Sequence, residues 1–214
     1  EFRRVLFRSL INICKFRKTW NSKNIISDTI SEIKSQIGKD RVILGLSGGV
    51  DSSVAAALIN KAIGKNLICI FINNGLLRQN EENEVKQAFK KFKSLNIKYI
   101  NAESLFLRRL KGVTNPEEKR KIVGKTFVDV FQKEAKKIKN AKWLGQGTIY
   151  PDIIESAGTS ANAHLIKSHH NVGGLPKSLK LKLIEPLKSL FKDEVRIIGN
   201  ELGLNKSLIM RHPF

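Results

Sequence analysis

Residues 41–63 limit what this chain can fold into more than any other stretch, because an apolar run, a glycine–serine turn and an apolar helical pattern follow one another without a spacer. Arg41-Val42-Ile43-Leu44-Gly45-Leu46 has no polar residue alternating with the apolar ones, the pattern of a strand buried on both faces. Val54-Ala55-Ala56-Ala57-Leu58-Ile59, with Ala62 and Ile63, reads as a buried helix that stops at Gly64. Between them lies Ser47-Gly48-Gly49-Val50-Asp51-Ser52-Ser53. Gly48 and Gly49 carry no Cβ, so the backbone can turn sharply there and approach a ligand closely. The amides and the positive dipole end of the new helix then face the loop and favour an anion. Ser47, Ser52 and Ser53 add hydroxyl donors, and Asp51 adds a carboxylate of the kind that holds Mg²⁺. An ordinary glycine-rich turn requires neither the hydroxyls nor the acid.

The loop does not fit the two commonest phosphate-binding patterns. It has no Lys near the second Gly, as a Walker loop requires, and its glycine spacing is not G-x-G-x-x-G. Ser-Gly-Gly-Val-Asp-Ser-Ser instead resembles the PP-loop of the ATP pyrophosphatases, enzymes that cut ATP between its α and β phosphates. The resemblance implies that Ser47, Gly48, Gly49, Val50, Asp51, Ser52 and Ser53 bind the pyrophosphate part of ATP, with Asp51 also a Mg²⁺ ligand.

The remaining chain alternates strand and helix patterns. Ile25, Ile26, Ile30, Ile33 and Ile37 recur at helical spacing between the N-cap candidates at Asn21-Ser22-Lys23-Asn24 and Gly38. Asn66 to Asn73 reads as a second buried strand, and Glu81 to Leu95 as an amphipathic helix presenting Val85, Ala88, Phe89 and Phe92. Ile97 to Ile100 is a third strand, followed by a short helix over Leu105 to Leu110 and a long one from Pro116 to about Ile138. Lys142 to Gln146 is a fourth strand, Leu181 to Ile184 a fifth, and Asp193 to Leu202 a helix closed by Gly203. Thr148 to Pro176 shows no sustained period and is expected to be a long functional loop, a lid. The expected fold is α/β, a parallel five-stranded sheet with helices on both faces, adenine nucleotide alpha hydrolase-like, with ligands at the carboxyl ends of the strands.

Composition narrows the class further. Apolar content of 41% in 214 residues allows one α/β domain with a substantial core. No apolar stretch approaches the roughly 20 residues that span a bilayer. Cys14 and Cys69 are too few and too far apart to suggest a disulfide framework. Cys69 sits inside an apolar run, as a buried core thiol does, and a reducing cytoplasm fits best. A net charge of +20 admits a nucleic-acid face, but lysines spread along most of the chain, and a lysine-rich background is the preferred explanation. The densest basic piece, Lys133 to Lys142, falls largely on a predicted helix as a solvated face. Residues 1–9 resemble an in-frame translation of a sequencing-library adapter, the alternative being a natural basic leader. Setting them aside removes three Arg and one Glu and takes the charge from +20 to +18.

Several further segments look like GMP synthetases. They are Phe71-Ile72-Asn73-Asn74-Gly75-Leu76-Leu77-Arg78, Asn115-Pro116-Glu117-Glu118-Lys119-Arg120-Lys121-Ile122, Gly145-Gln146-Gly147-Thr148-Ile149-Tyr150-Pro151-Asp152 and Ile154-Glu155-Ser156. Ile166-Lys167-Ser168-His169-His170-Asn171-Val172-Gly173-Gly174-Leu175-Pro176 and Phe191-Lys192-Asp193-Glu194-Val195-Arg196 belong with them. The resemblance implies adenylylation of the 2-oxygen of xanthosine monophosphate by ATP, with release of pyrophosphate. Ammonia then displaces AMP to give GMP. It implies nucleotide contact by Arg78, whose alternative is an exposed residue starting a helix. Asp152 and Glu155 are expected near the adenylylated base, or are simply loop carboxylates. Lys167, His169 and His170 are expected to close over phosphates from the lid; the two adjacent His lack the neighbours of a zinc site. Lys192 and Asp193 are phosphate-contact candidates, or a helix N-terminal charge pair. By the same resemblance residues 10–20 are the tail of a glutaminase domain that supplies the ammonia, and 21–214 form the synthetase domain. The resemblance further implies a dimerisation domain beyond Phe214 that completes the nucleotide site, a homodimeric parent, and little activity from this chain alone. A tRNA-modifying adenylyltransferase and an inactive ATP-binding fragment are the competing readings; no membrane partner is expected.

Overall fold

A computed structural model describes residues 5, 8–15, 20–157 and 181–211. After a π-helical turn at Ser9–Ile13 come α1 (Ser22–Ile37), β1 (Arg41–Gly45), α2 (Val50–Ile63), β2 (Leu67–Asn73) and α3 (Glu81–Phe89). These are followed by β3 (Asn96–Asn101), α4 (Glu103–Leu110), α5 (Pro116–Lys136), β4 (Ala141–Gly145) and α6 (Tyr150–Ala157). The last described elements are β5 (Lys182–Ile184), α7 (Lys192–Glu201) and α8 (Lys206–Ile209).

The five strands form one parallel sheet in the order β3-β2-β1-β4-β5. Its alternating side chains feed two cores, as a period of two requires. Val42, Leu44, Leu67, Cys69 and Phe71 pack on one face with α1, α2, α7 and α8. Ile43, Ile68, Ile70, Ile72 and Leu144 pack on the other against Phe106 of α4 and Phe131 of α5. The α2 run Val54-Ala55-Ala56-Ala57-Leu58-Ile59 is almost wholly inaccessible. Its alanines let the helix lie close against the central strands.

Local signals set the ends of the helices. The Asn21 side chain accepts from the Lys23 amide at 2.9 Å to cap α1, and Asn115 accepts from Glu117 and Glu118 at 3.0 Å to cap α5, with Pro116 at its first position. Gly38 and Gly64 end α1 and α2 at φ values of 59° and 55°.

Two expected elements are corrected. The helix expected to reach Leu95 ends at Phe89, because the chain must turn into β3 at Asn96. It does so through tight turns, with the Phe92 amide donating to Phe89 O and the Leu95 amide to Phe92 O, both at 2.9 Å. The expected loop from Thr148 is helical over Tyr150–Ala157. Asp152 accepts from the Ile149 amide at 2.9 Å, and the Tyr150 amide donates to Leu190 O at 2.9 Å, so a cap from α6 itself and the loop before α7 fix the helix start. The rest of that segment, residues 158–176, lies outside the described residues. An additional short helix, α8, closes the first core with Leu208 and Ile209.

Candidate active site

The strand order reverses between β1 and β4: β2 and β3 continue from one side of β1, β4 and β5 from the other. Loops leaving adjacent strands in opposite directions open a crevice at the carboxyl edge, where ligands bind in such sheets. Residues 46–53 leave β1 at this point, and Gly145-Gln146-Gly147 leaves β4 beside them. The two loops touch. A Cβ on Gly147 would lie 2.9 Å from both Asp51 C and Ser52 N, so only glycine lets the β4 exit rest on the first turn of α2.

The 46–53 loop is closed by its own hydroxyls. Ser47 Oγ and Ser52 Oγ lie 3.0 Å apart, Ser52 Oγ donates to Gly49 O at 3.1 Å, and the Gly49 amide donates to Ser47 Oγ at 3.3 Å. The Ser47 amide also donates to Ser52 Oγ, at 3.3 Å. The first α2 bond back to the loop is Ser53 N to Gly49 O at 3.2 Å, which leaves the amides of Val50, Asp51 and Ser52 without intrahelical acceptors. These amides and the positive helix end make the loop an anion cradle. Ser53 is placed differently from its neighbours. It is fully buried, and its Oγ has no hydrogen-bond partner among the described residues.

Asp51 projects from the first turn of α2 and is gripped by Lys192, the first residue of α7. The ammonium lies 2.8 Å from Oδ1 and 2.6 Å from Oδ2, with both side chains about one-third exposed. The structure thus brings together two residues that the sequence placed in separate motifs. A single, partly exposed carboxylate beside an anion cradle fits Mg²⁺, which characteristically takes one or two protein carboxylates and completes its shell with substrate phosphates and water. Among the described residues no cluster of three His, Cys, Asp or Glu offers a metal site made by protein alone. Asp193 is 90% exposed and pairs with Arg196 at 3.2 Å on its own helix, the arrangement of a helix N-terminal charge pair. Asp152 lies in the first turn of α6 as a cap, and Glu155 is exposed on the same helix. Lys167, His169 and His170 lie outside the described residues.

Arg78 is exposed on the loop that follows β2, at the same edge of the sheet. It lines a cleft of about 340 Å³ with Asn73, Gly75, Asn80, Glu82 and Glu103. Gly75, at φ 74°, allows this loop to pass over Glu103, whose Cγ would lie 2.6 Å from a Cβ there. The Arg78 amide donates to Glu81 Oε2 at 3.0 Å. Glu81 is 1% exposed, and its other oxygen lies 2.9 Å from the Arg211 guanidinium, which also donates to Gly48 O at 3.0 Å and pairs with Glu84. The sequence singled out neither Glu81 nor Arg211. A lone Arg near the chain end and a Glu in an acidic helix start carry no spacing signal that would join them.

Cys69 is buried, and burial pushes its thiol far above the ordinary range; Cys14 is exposed. Among the described residues no helix is long and apolar enough to cross a membrane.

A family model described as NAD synthase matches residues 22–119. A "GMP synthase [glutamine-hydrolyzing]" of Francisella philomiragia is 61% identical over 95% of this chain and 40% of its own length. Another, of Francisella tularensis subsp. novicida, is 57% identical over 99% of this chain and 41% of its own length. The chain therefore spans about two fifths of the length of these curated relatives. Among solved structures, an NH3-dependent NAD synthetase from Campylobacter jejuni superimposes with a TM-score of 0.65 at 17% identity, over 92% of this chain and 80% of that one. A U34-tRNA thiolase from Methanococcus maripaludis gives 0.55 at 25% identity, over 86% and 67%. These structures share the fold, and the sequence relatives supply the narrower assignment. With this loop at the switch point of a 3-2-1-4-5 sheet and this level of identity along nearly its whole length, the chain is similar to the part of the glutamine-hydrolysing GMP synthases that it spans.

Proposed function

We propose that this chain is the ATP-pyrophosphatase part of an enzyme that aminates xanthosine monophosphate to GMP through an adenylylated intermediate. The observation that carries the reading is the anion cradle of residues 47–53 with the Asp51–Lys192 pair at its mouth. In the first step the 2-oxygen of xanthosine monophosphate attacks the α-phosphorus of ATP, and the bond to the β-phosphate oxygen breaks. In the second, ammonia attacks carbon 2 and AMP leaves.

Most of the first step is alignment and charge handling. The amides of Val50, Asp51 and Ser52 and the hydroxyls of Ser47 and Ser52 hold the β and γ phosphates, with Gly48 and Gly49 giving the loop its close approach. Lys192 supplies a positive charge at the leaving pyrophosphate. Asp51 would hold a Mg²⁺ ion, which would supply charge neutralisation at the phosphate oxygens. Arg78, on the rim of the cleft after β2, binds the nucleotide substrate, and Asp152 and Glu155 lie on the β4 side near the reacting base. Lys167 and His169, which lie outside the described residues, are assigned to the phosphates as well, with Lys167 a catalytic group. Ammonia comes from glutamine hydrolysed by a glutaminase domain, the working enzyme is a homodimer, and the compartment is the cytoplasm.

The test uses the full-length parent with ATP, xanthosine monophosphate and ammonium. AMP and pyrophosphate are expected to form in equal amounts, and only when the nucleotide acceptor is present. Release of ADP and phosphate, or no acceptor-dependent AMP, would overturn the assignment. The tRNA-modifying reading requires a reactive cysteine beyond the loop. Cys69 is too buried and too weakly acidic to serve, so that reading is not preferred.

A further inference from the structure

Anion binding by the loop depends on which way one peptide bond faces. The Gly48–Gly49 peptide joins two residues without Cβ atoms and is the unit of the loop freest to flip. A flip would break the bond of the Gly49 amide to Ser47 Oγ and turn the Gly48 carbonyl to that side, setting an oxygen close to phosphate held by the following amides. The structure holds this peptide from both sides. Ser47 Oγ accepts from the Gly49 amide at 3.3 Å, and the Arg211 guanidinium donates to Gly48 O at 3.0 Å.

The second clamp comes from far away in the chain and is well fixed. Arg211 is only 8% exposed at its side chain. Its backbone follows α8, which is anchored by Leu208 and Ile209 at 1% and 3% exposure. The guanidinium is shared among the Gly48 carbonyl, buried Glu81 and the outer carboxylate of Glu84. Glu81 in turn accepts from the Arg78 amide, so one buried pair joins the phosphate loop, the substrate-side loop and α8. Gly48, at φ 79°, makes the approach possible; a Cβ there would lie 3.1 Å from Glu81 Oε1 and 3.4 Å from Arg211.

We propose that Arg211 is a positioning residue that holds the Gly48 carbonyl on the outer wall of the loop, so that the following amides stay turned towards the pyrophosphate. The effect on ATP rests on the anion-site reading given above; the effect on the loop itself does not.

Arg211→Lys in the full-length protein tests both. Lysine keeps a charge for Glu81 but lacks the planar fork that reaches several acceptors at once. Amide hydrogen exchange over residues 47–50 is expected to accelerate while that of β1 and α2 stays unchanged. KM for ATP is expected to rise about tenfold or more, the scale of a charge-assisted hydrogen bond lost at an anion, with KM for xanthosine monophosphate within about twofold. Unchanged exchange in the loop would overturn the proposal. So would an equal rise of both KM values together with a general loss of protection, the mark of a merely structural role. If wild-type protein binds neither ATP nor pyrophosphate, the anion-site reading fails, and the exchange data still decide whether Arg211 fixes the loop. Should the lysine variant not fold, Arg211→Met combined with Glu81→Gln leaves no unpaired buried charge and permits the same measurements.

Discussion

Gly48 and Gly49 stand side by side in the sequence, but their backbones differ. Gly48 has φ 79° and is surrounded by Glu81, Val85 and Arg211, whereas Gly49 has φ −74° and a Cβ there would meet only Ser47 Oγ, at 3.3 Å. Gly48→Ala is therefore expected to lower stability by about 1–2 kcal/mol for its left-handed backbone alone, and Gly49→Ala by less; urea unfolding of the two variants checks the order. Asp51→Asn should cost no more than about 1 kcal/mol, because the pair with Lys192 is partly exposed. Its expected effect on Mg²⁺-dependent pyrophosphate release by the full-length parent is a fall on the order of 10²-fold. Unchanged turnover would remove Asp51 from the metal role. With a thiol reagent, Cys14 should react in the native protein and Cys69 only after unfolding. Rapid native labelling of both would reopen the thiolation reading. At this scale the loop residues were legible because their chemistry is written in one short segment. The Asp51–Lys192 and Gly48–Arg211 contacts were not, since 141 and 163 residues separate the partners.

Strands and long helices were legible for a different reason. Continuous apolar runs and capped, periodic segments such as α1 and α5 carry their signal locally. The misjudged elements depend on neighbours. The eight residues of α6 are too few for a clear period, and its Ile153 and Ile154 are exposed, so its start is fixed by Asp152 and by Leu190 from a distant loop. The early end of α3 follows from where β3 must begin, while Phe92 still packs against the first core. The contact that most affects the site at this scale is Gly147 against the first turn of α2. Gly147→Ala would force those backbones apart and is expected to cost about 1–3 kcal/mol as an overpacked contact. The same variant should weaken ATP binding, and ATP affinity within error of wild type would show that the β4 exit does not support the cradle.

For the molecule as a whole, the composition indicated an α/β domain, and the alternating pattern indicated a parallel sheet. Neither gave the strand order, which decides that the β1 and β4 loops are the ones that meet. Some of the basic residues behind the net charge of +20 have acidic neighbours in three dimensions. Lys142 is paired with Asp40 at 2.9 Å and Lys137 with Glu134 at 2.5 Å, so part of the densest basic segment is neutralised locally. The strand–loop–helix unit after β1 is proposed to bind the pyrophosphate end of ATP. Calorimetric titration of residues 10–214 with ATP and Mg²⁺ tests this most directly, because the cradle lies wholly within the described fold while the chain spans only about two fifths of the length of its relatives. Saturable ATP binding that pyrophosphate competes away is predicted, with little or no GMP formed when xanthosine monophosphate and ammonium are added. Absence of any heat of binding for both ATP and pyrophosphate, from a chain whose circular dichroism shows it folded, would contradict the claim.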